Sequence, residues 1–126
     1  QDYGLALLND QRFEEAEAHI QKAIELNAIG RRAYEGLLPL LYMAMSDSKK
    51  SLEWCNIIYD RGLHSRDHGF RAAICVHLGD YETAKTYLKK FRELRPEIKT
   101  LEDYKKVAPG ICVNYLIEGL TPIWEI

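Results

Sequence analysis

The sequence predicts an all-α fold: a right-handed helical-repeat solenoid of about three helix-turn-helix units, closed by a C-terminal helical cap. Slid along itself, the chain finds its own pattern again, so that Phe13, Ala16, Ile20, Ala23, Leu26 and Ala28 fall on Tyr81, Ala84, Leu88, Phe91, Leu94 and Pro96. That displacement is twice the roughly 34-residue period of a two-helix unit that stacks on copies of itself. Within each matched stretch the apolar residues recur at helical spacing, which places them on one face. Small residues at Ala16, Ser51 and Ala84 recur at close to the same period, at the positions where two paired helices approach closely.

Taken in order, the spacing predicts helices over about residues 2–9, 12–26, 31–45, 48–61, 66–77 and 80–94. The first carries Tyr3, Gly4 and Leu7, the second Phe13, Ala16, Ile20 and Ala23. The third carries Tyr34, Leu37, Leu38 and Leu41 but has Pro39 in its middle, where a missing N–H should kink or split it. Ser51 and Cys55 mark the fourth. Ser51 comes slightly late after Ala16 and Ala84 slightly early after Ser51, which suggests one residue added in the Ser46 to Lys50 turn and one removed after it. Ser65 is the expected N-cap of the fifth helix, whose packing residues are His68, Arg71, Ala72 and Cys75. Leu78-Gly79 and Arg95-Pro96 are the expected stops of the fifth and sixth. Beyond Pro96 the repeat lapses. Thr100 caps a short helix around Leu101, Tyr104 and Val107, Pro109-Gly110 breaks it, and a last short helix begins at Val113 and ends at Gly119. These elements should cover the open end of the last unit, because a solenoid needs a terminal cap. The expected organisation is repeats over 1–96, the first of them truncated, and a capping segment over 97–126 in the same domain.

Tyr3-Gly4-x2-Leu7, Tyr34-x2-Leu37-Leu38-x2-Leu41 and Gly79-Asp80-Tyr81-x2-Ala84 resemble the large-small-large signature of the tetratricopeptide repeat family. Leu38 stands where that signature has Gly, and Arg71 where it has Leu. The resemblance implies a solenoid whose opening helices form a concave, protein-binding wall. The closing segment, from Leu94 through Leu120, loosely resembles the ends of repeat arrays in some bacterial adenylate cyclases and transcription regulators. With a chain that begins at Gln1 rather than Met, it suggests a piece of a longer, bacterial array.

Composition narrows the function classes. Seventeen basic against nineteen acidic residues give a net charge of −2, interspersed along the chain, which offers nothing to nucleic acid or an anionic membrane. No apolar run reaches membrane-spanning length and no signal peptide opens the chain. Cys55, Cys75 and Cys112 are widely spaced, as free buried thiols of a reducing compartment are, and a cytoplasmic location is expected. There is no phosphate-binding Gly-rich loop, nucleophile elbow or zinc-spaced cysteine pair. The nearest metal constellation is His64, Asp67, His68 and His77, but His64 precedes the N-cap and does not share a helical face with His68. No enzyme activity and no cofactor are therefore expected.

Counting from the matched residues, the concave wall should carry Asp2, Leu5, Leu8 and Asn9, then Arg32, Glu35, Pro39, Tyr42 and Met43, then Arg66, Phe70, Ala73 and His77. Arg32, Glu35, Tyr42, Arg66, Phe70 and His77 are the candidate partner-binding residues, since aromatic side chains, Met and Arg characterise protein-binding surfaces. Family members that grip acidic chaperone tails use Lys, Asn and Arg at positions matching Gln1, Leu5, Gly36, Arg66 and Phe70. Only Arg66 fits here, so the resemblance implies a more apolar peptide or helix as ligand. The expected function is a non-enzymatic scaffold for a protein or peptide partner. The alternative is a regulatory segment of a larger signalling protein that self-associates through its ends or through the Trp124 tail.

Overall fold

The computed structural model describes residues 12–26, 35–59 and 66–125. Those residues form seven helices and no strand: α1 (Phe13–Leu26), α2 (Leu37–Ala44), α3 (Ser48–Tyr59), α4 (Arg66–His77), α5 (Tyr81–Leu94), α6 (Leu101–Val107) and α7 (Val113–Trp124). The helix expected over 2–9 lies outside them. Successive helices pair in antiparallel hairpins, α2 with α3 and α4 with α5, and α3 joins the two hairpins by packing on α4.

The small residues do what the repeat requires. Ala16, Ser51 and Ala84 are each fully buried, and the Ser51 hydroxyl donates to the Pro39 carbonyl at 2.9 Å, so its polarity is satisfied inside the hairpin. The helix is interrupted ahead of Pro39: Glu35 is helical, Gly36 keeps helical dihedrals (φ −63°, ψ −19°) but drops out of the hydrogen-bonded run, and helix resumes at Leu37. Pro39 thus lies in the first turn of α2, and the donor it lacks is the one that would have bonded the Glu35 carbonyl across the break.

The two hairpin turns are the same motif. In the first, Ser46 N–H donates to Met43 O and Asp47 N–H to Tyr42 O, and in the second, Gly79 N–H donates to Val76 O and Asp80 N–H to Cys75 O. The carboxylates of Asp47 and Asp80 then accept from Lys50 N–H and Thr83 N–H, each at 3.2 Å, and start the next helix. Every equivalent pair, from Leu41 with Ile74 to Ser51 with Ala84, keeps one constant offset through the turn. The extra residue therefore does not sit in the Ser46 to Lys50 turn, as the spacing alone suggests. It lies between Ala16 and Leu41.

Ser46 has φ 59°, the left-handed conformation that Gly79 adopts with φ 86° in the other turn. A side chain there costs energy that glycine does not. Ser46→Gly should stabilise the protein by about 1 kcal/mol, read as a higher urea midpoint at unchanged slope.

Apolar side chains form two clusters. Ala16, Ile20, Ile24, Leu37, Leu38, Leu41 and Tyr42 join α1 to α2, with Phe13, Trp54 and Ile111 packed against them. In the register set by the turns, Leu38 is the counterpart of Arg71, so it stands in the leucine place of the signature rather than the glycine place, and it is a core residue. The larger cluster runs from Leu40 and Cys55 through α4 and α5 to Ile98, Tyr104, Cys112 and the inner side of α7.

The C-terminal part departs furthest from expectation. Thr100 caps α6 with a reciprocal box, its side chain accepting from Asp103 N–H while the Asp103 carboxylate accepts from Thr100 N–H. α7 does not end at Gly119 but continues to Trp124, with Pro122 inside its last turn. Gly119 is a crossing point. A Cβ placed on it would lie 2.6 Å from Ala73 O and 2.8 Å from Ala73 Cα, so the α7 backbone rests directly on that of α4.

Candidate functional site

The face of α4 bearing Ala73 and His77 is the part of the expected concave wall that the structure describes best. α7 lies across it, running antiparallel to α4. Gly119 sits on Ala73, and one turn earlier the Tyr115 ring stacks on His77 at 3.9 Å between centroids with 20° between planes. His77 Nε2 is 2.9 Å from Tyr115 O, and since a carbonyl only accepts, this nitrogen carries the proton. The Tyr115 hydroxyl shares a hydrogen bond of 2.6 Å with Ser48 Oγ at the start of α3. Burial pushes the Tyr115 phenol up to about 12, with the thiols of Cys55, Cys75 and Cys112 adding to the shift and the Ser48 bond opposing it.

At its other end α7 is fixed by Arg92 of α5, whose guanidinium donates to the Trp124 carbonyl and lies 4.8 Å from the Trp124 ring centroid. The Tyr104 ring meets Trp124 edge-on at 6.1 Å. Trp124 is 5% exposed, so it is part of the core and offers no free ring for self-association through the tail. Before α7, Ile111 packs against both apolar clusters. The segment from Ile111 to Trp124 therefore spans the described hairpins from side to side, rather than only covering the end of the last one.

The other expected contact residues fall in different places. Tyr42 is buried and donates to Glu17 Oε2 of α1 at 2.7 Å, which together with burial holds its pKa up at about 12. It joins α2 to α1 and has no open face. Phe70 is buried too, and lines a cavity of about 100 Å³ with Phe91, Tyr104, Val107 and Pro109. Its ring points to α6, not to the Ala73 face. Glu35 and Met43 are each 1% exposed. Arg32 lies outside the described residues, and Arg66 opens α4, its side chain outside the described part. The structure thus puts Ala73 under α7 with His77 exposed at its edge, and sends Tyr42 and Phe70 into separate interfaces. Tyr115, Gly119 and Ser48 complete the arrangement, and sequence reasoning misses all three. Of the metal constellation, His64 lies outside the described residues, among which no group of three His, Cys, Asp or Glu side chains converges.

Arg71, in the place of a leucine, is buried and spans α3 to α5. It donates to Asn56 Oδ1 at 3.2 Å and to His68 Nδ1 at 3.0 Å, and its guanidinium stacks on Tyr87 at 4.1 Å. A guanidinium only donates, so His68 accepts at Nδ1 and is neutral. Burial, and then the charges of Arg71 and Lys90, hold the His68 pKa below the ordinary histidine value of 6.5. Because the folded state disfavours the proton that the unfolded chain takes up, stability should be full above pH 6.5 and fall as the pH drops below it toward the folded pKa. Urea midpoints on either side of that value check this, and His68→Gln should flatten the difference. All three cysteines are free and buried, and burial raises the Cys75 thiol to about 11, so it is not a nucleophile at neutral pH. No described helix is long and apolar enough to cross a membrane.

No curated protein and no solved structure matches the chain. A family model does: the tetratricopeptide repeat matches at residues 1–29 and again at 69–98. The matches begin at residues 1 and 69, the same displacement at which the sequence repeats itself, and the second spans the α4–α5 hairpin described above. Two hairpins with one turn motif, small residues at their contacts and these two matches support a tetratricopeptide repeat family assignment.

Proposed function

We propose that this chain is a protein-interaction module that takes a peptide or partner helix on the inner face of its repeats. Tetratricopeptide repeats generally mediate protein–protein interaction, and the family is typically non-enzymatic. The observation that carries the finer reading is the seat of α7: the Ala73–His77 face of α4 holds a helix at backbone contact. A face that accommodates one helix so closely has the shape for helix-in-groove recognition. In this reading residues 1–96 supply the repeats and 97–126 close the same domain. Ala73 forms the floor of the groove and His77 its exposed edge, Arg32 and Arg66 supply flanking charge, and Glu35, Tyr42 and Phe70 support the wall from inside the packing.

Selection of helical peptides from a displayed library on the immobilised chain tests the reading. Selected peptides should lose at least about tenfold in affinity, roughly 1.4 kcal/mol, on Arg66→Ala or His77→Ala, in protein that remains folded by circular dichroism. Peptides that bind both variants as well as the parent would place docking on another surface and overturn the inner-face assignment.

A further inference from the structure

α7 behaves as a bound ligand does rather than as the next unit of the array. In a stacked repeat each unit contacts only its neighbours, and a following helix would lie mainly on α5. α7 instead packs chiefly on α4, touches α5 and α6 less, and through Ile111 the same segment reaches the α1–α2 cluster.

Its own sequence gives it little reason to be a helix. Cys112 at its start makes no side-chain cap, no acid stands in its first turn and no base in its last, so neither end of the helix dipole is compensated. Gly119 and Pro122 lie inside it, among β-branched Val113, Ile117, Thr121 and Ile123. α5 and α6, by contrast, are both capped by side chains. A helix without intrinsic support forms where a groove supplies the packing, which is the behaviour of a peptide that folds on binding. It is joined to α6 through Pro109 and Gly110, and Gly110 is exposed with nothing within 4 Å of a Cβ built on it.

We propose that α7 is the cis occupant of a helix-binding groove on α4, and that a partner helix of the same chemistry replaces it. The partner's pattern is read from the contacts: an aromatic residue to stack on His77, a Gly one turn later to cross Ala73, and an aliphatic residue one turn after that, as Tyr115, Gly119 and Ile123 provide. The proposal rests on the protein-interaction reading and adds to it that the groove is closed until such a helix competes.

The test uses the whole chain, folded and purified with a protease recognition sequence inserted after Gly110, then cleaved. The probe is a fluorescein-labelled synthetic peptide of residues 111–126. The labelled peptide should exchange into the cleaved protein while the circular dichroism of the remaining helices persists. A Gly119→Val peptide should compete at least about tenfold more weakly, since its side chain meets the Ala73 backbone. A Glu118→Ala peptide, altered on the exposed side, should compete equally. Retention of the cut segment without exchange over days, in a protein that stays folded, would show a permanent cap and sink the proposal. So would release of the segment only together with unfolding of the whole chain. Either result leaves the library selection free to succeed on another surface, and a failed selection alongside normal exchange would instead count against partner binding. The two readings therefore fail separately.

Discussion

Phe91→Ala should destabilise the protein by about 3–5 kcal/mol, the range for emptying a large aromatic site in a core. Phe91 is 1% exposed and lies where α4, α5 and α6 meet. Its ring meets Tyr104 edge-on at 5.5 Å and would stand 3.3 Å from a Cβ on Gly69, so it fills the space that the glycine leaves. A cavity of about 100 Å³ already adjoins it, and the lost ring would enlarge that void rather than let neighbours close over it. Its counterpart in the first matched stretch is Ala23, so the two stretches differ in bulk at this point. Urea unfolding followed by circular dichroism measures the loss. A loss below about 1 kcal/mol would mean that α6 collapses into the space, which the fixed Thr100 capping box argues against.

Gly119→Val should cost about 3 kcal/mol or more, at the upper end of overpacking effects, because the obstacle is backbone and not a side chain that can turn aside. Ala73→Gly should restore little in the double variant: it removes the Cβ at 2.8 Å but leaves the carbonyl oxygen at 2.6 Å. The expected readouts are a red-shifted Trp124 emission and rapid proteolysis between Pro109 and Glu125. A folded Gly119→Val protein with unchanged emission would mean that α7 slides along α4 without loss, and the close crossing would have no energetic meaning.

Features set by neighbours in sequence are legible in it, and those set by distant partners are not. The hairpins, the small residues at Ala16, Ser51 and Ala84, and the Asp80 start of α5 follow from spacing and from capping by near neighbours. Counting along one helix puts Tyr42 and Phe70 on the concave wall, but their direction is set by Glu17 and Tyr104, on other helices far along the chain. Pro39, a near-neighbour effect, is legible: the break at Gly36 falls where its missing N–H predicts one. Gly119 shows the limit most clearly. A glycine that ends a helix and a glycine that lets two helices touch look alike locally, and only Ala73 distinguishes them. Arg71 is visible as an odd residue, while its partners Asn56 and Tyr87, on two different helices, give no signal.

Ile111 touches both apolar clusters, and that single contact bears on how the protein comes apart. An array of stacked units held only by adjacent contacts frays from one end, losing units one by one while the rest stands. Here the two clusters share a fastening made late in the chain, so the α1–α2 pair cannot melt away without loosening the segment that holds α4. The α1–α2 pair and the closing segment rise and fall in stability together. A helix that took α7's place would cut that fastening, and the distant pair would register the event as a lower melting point without being touched.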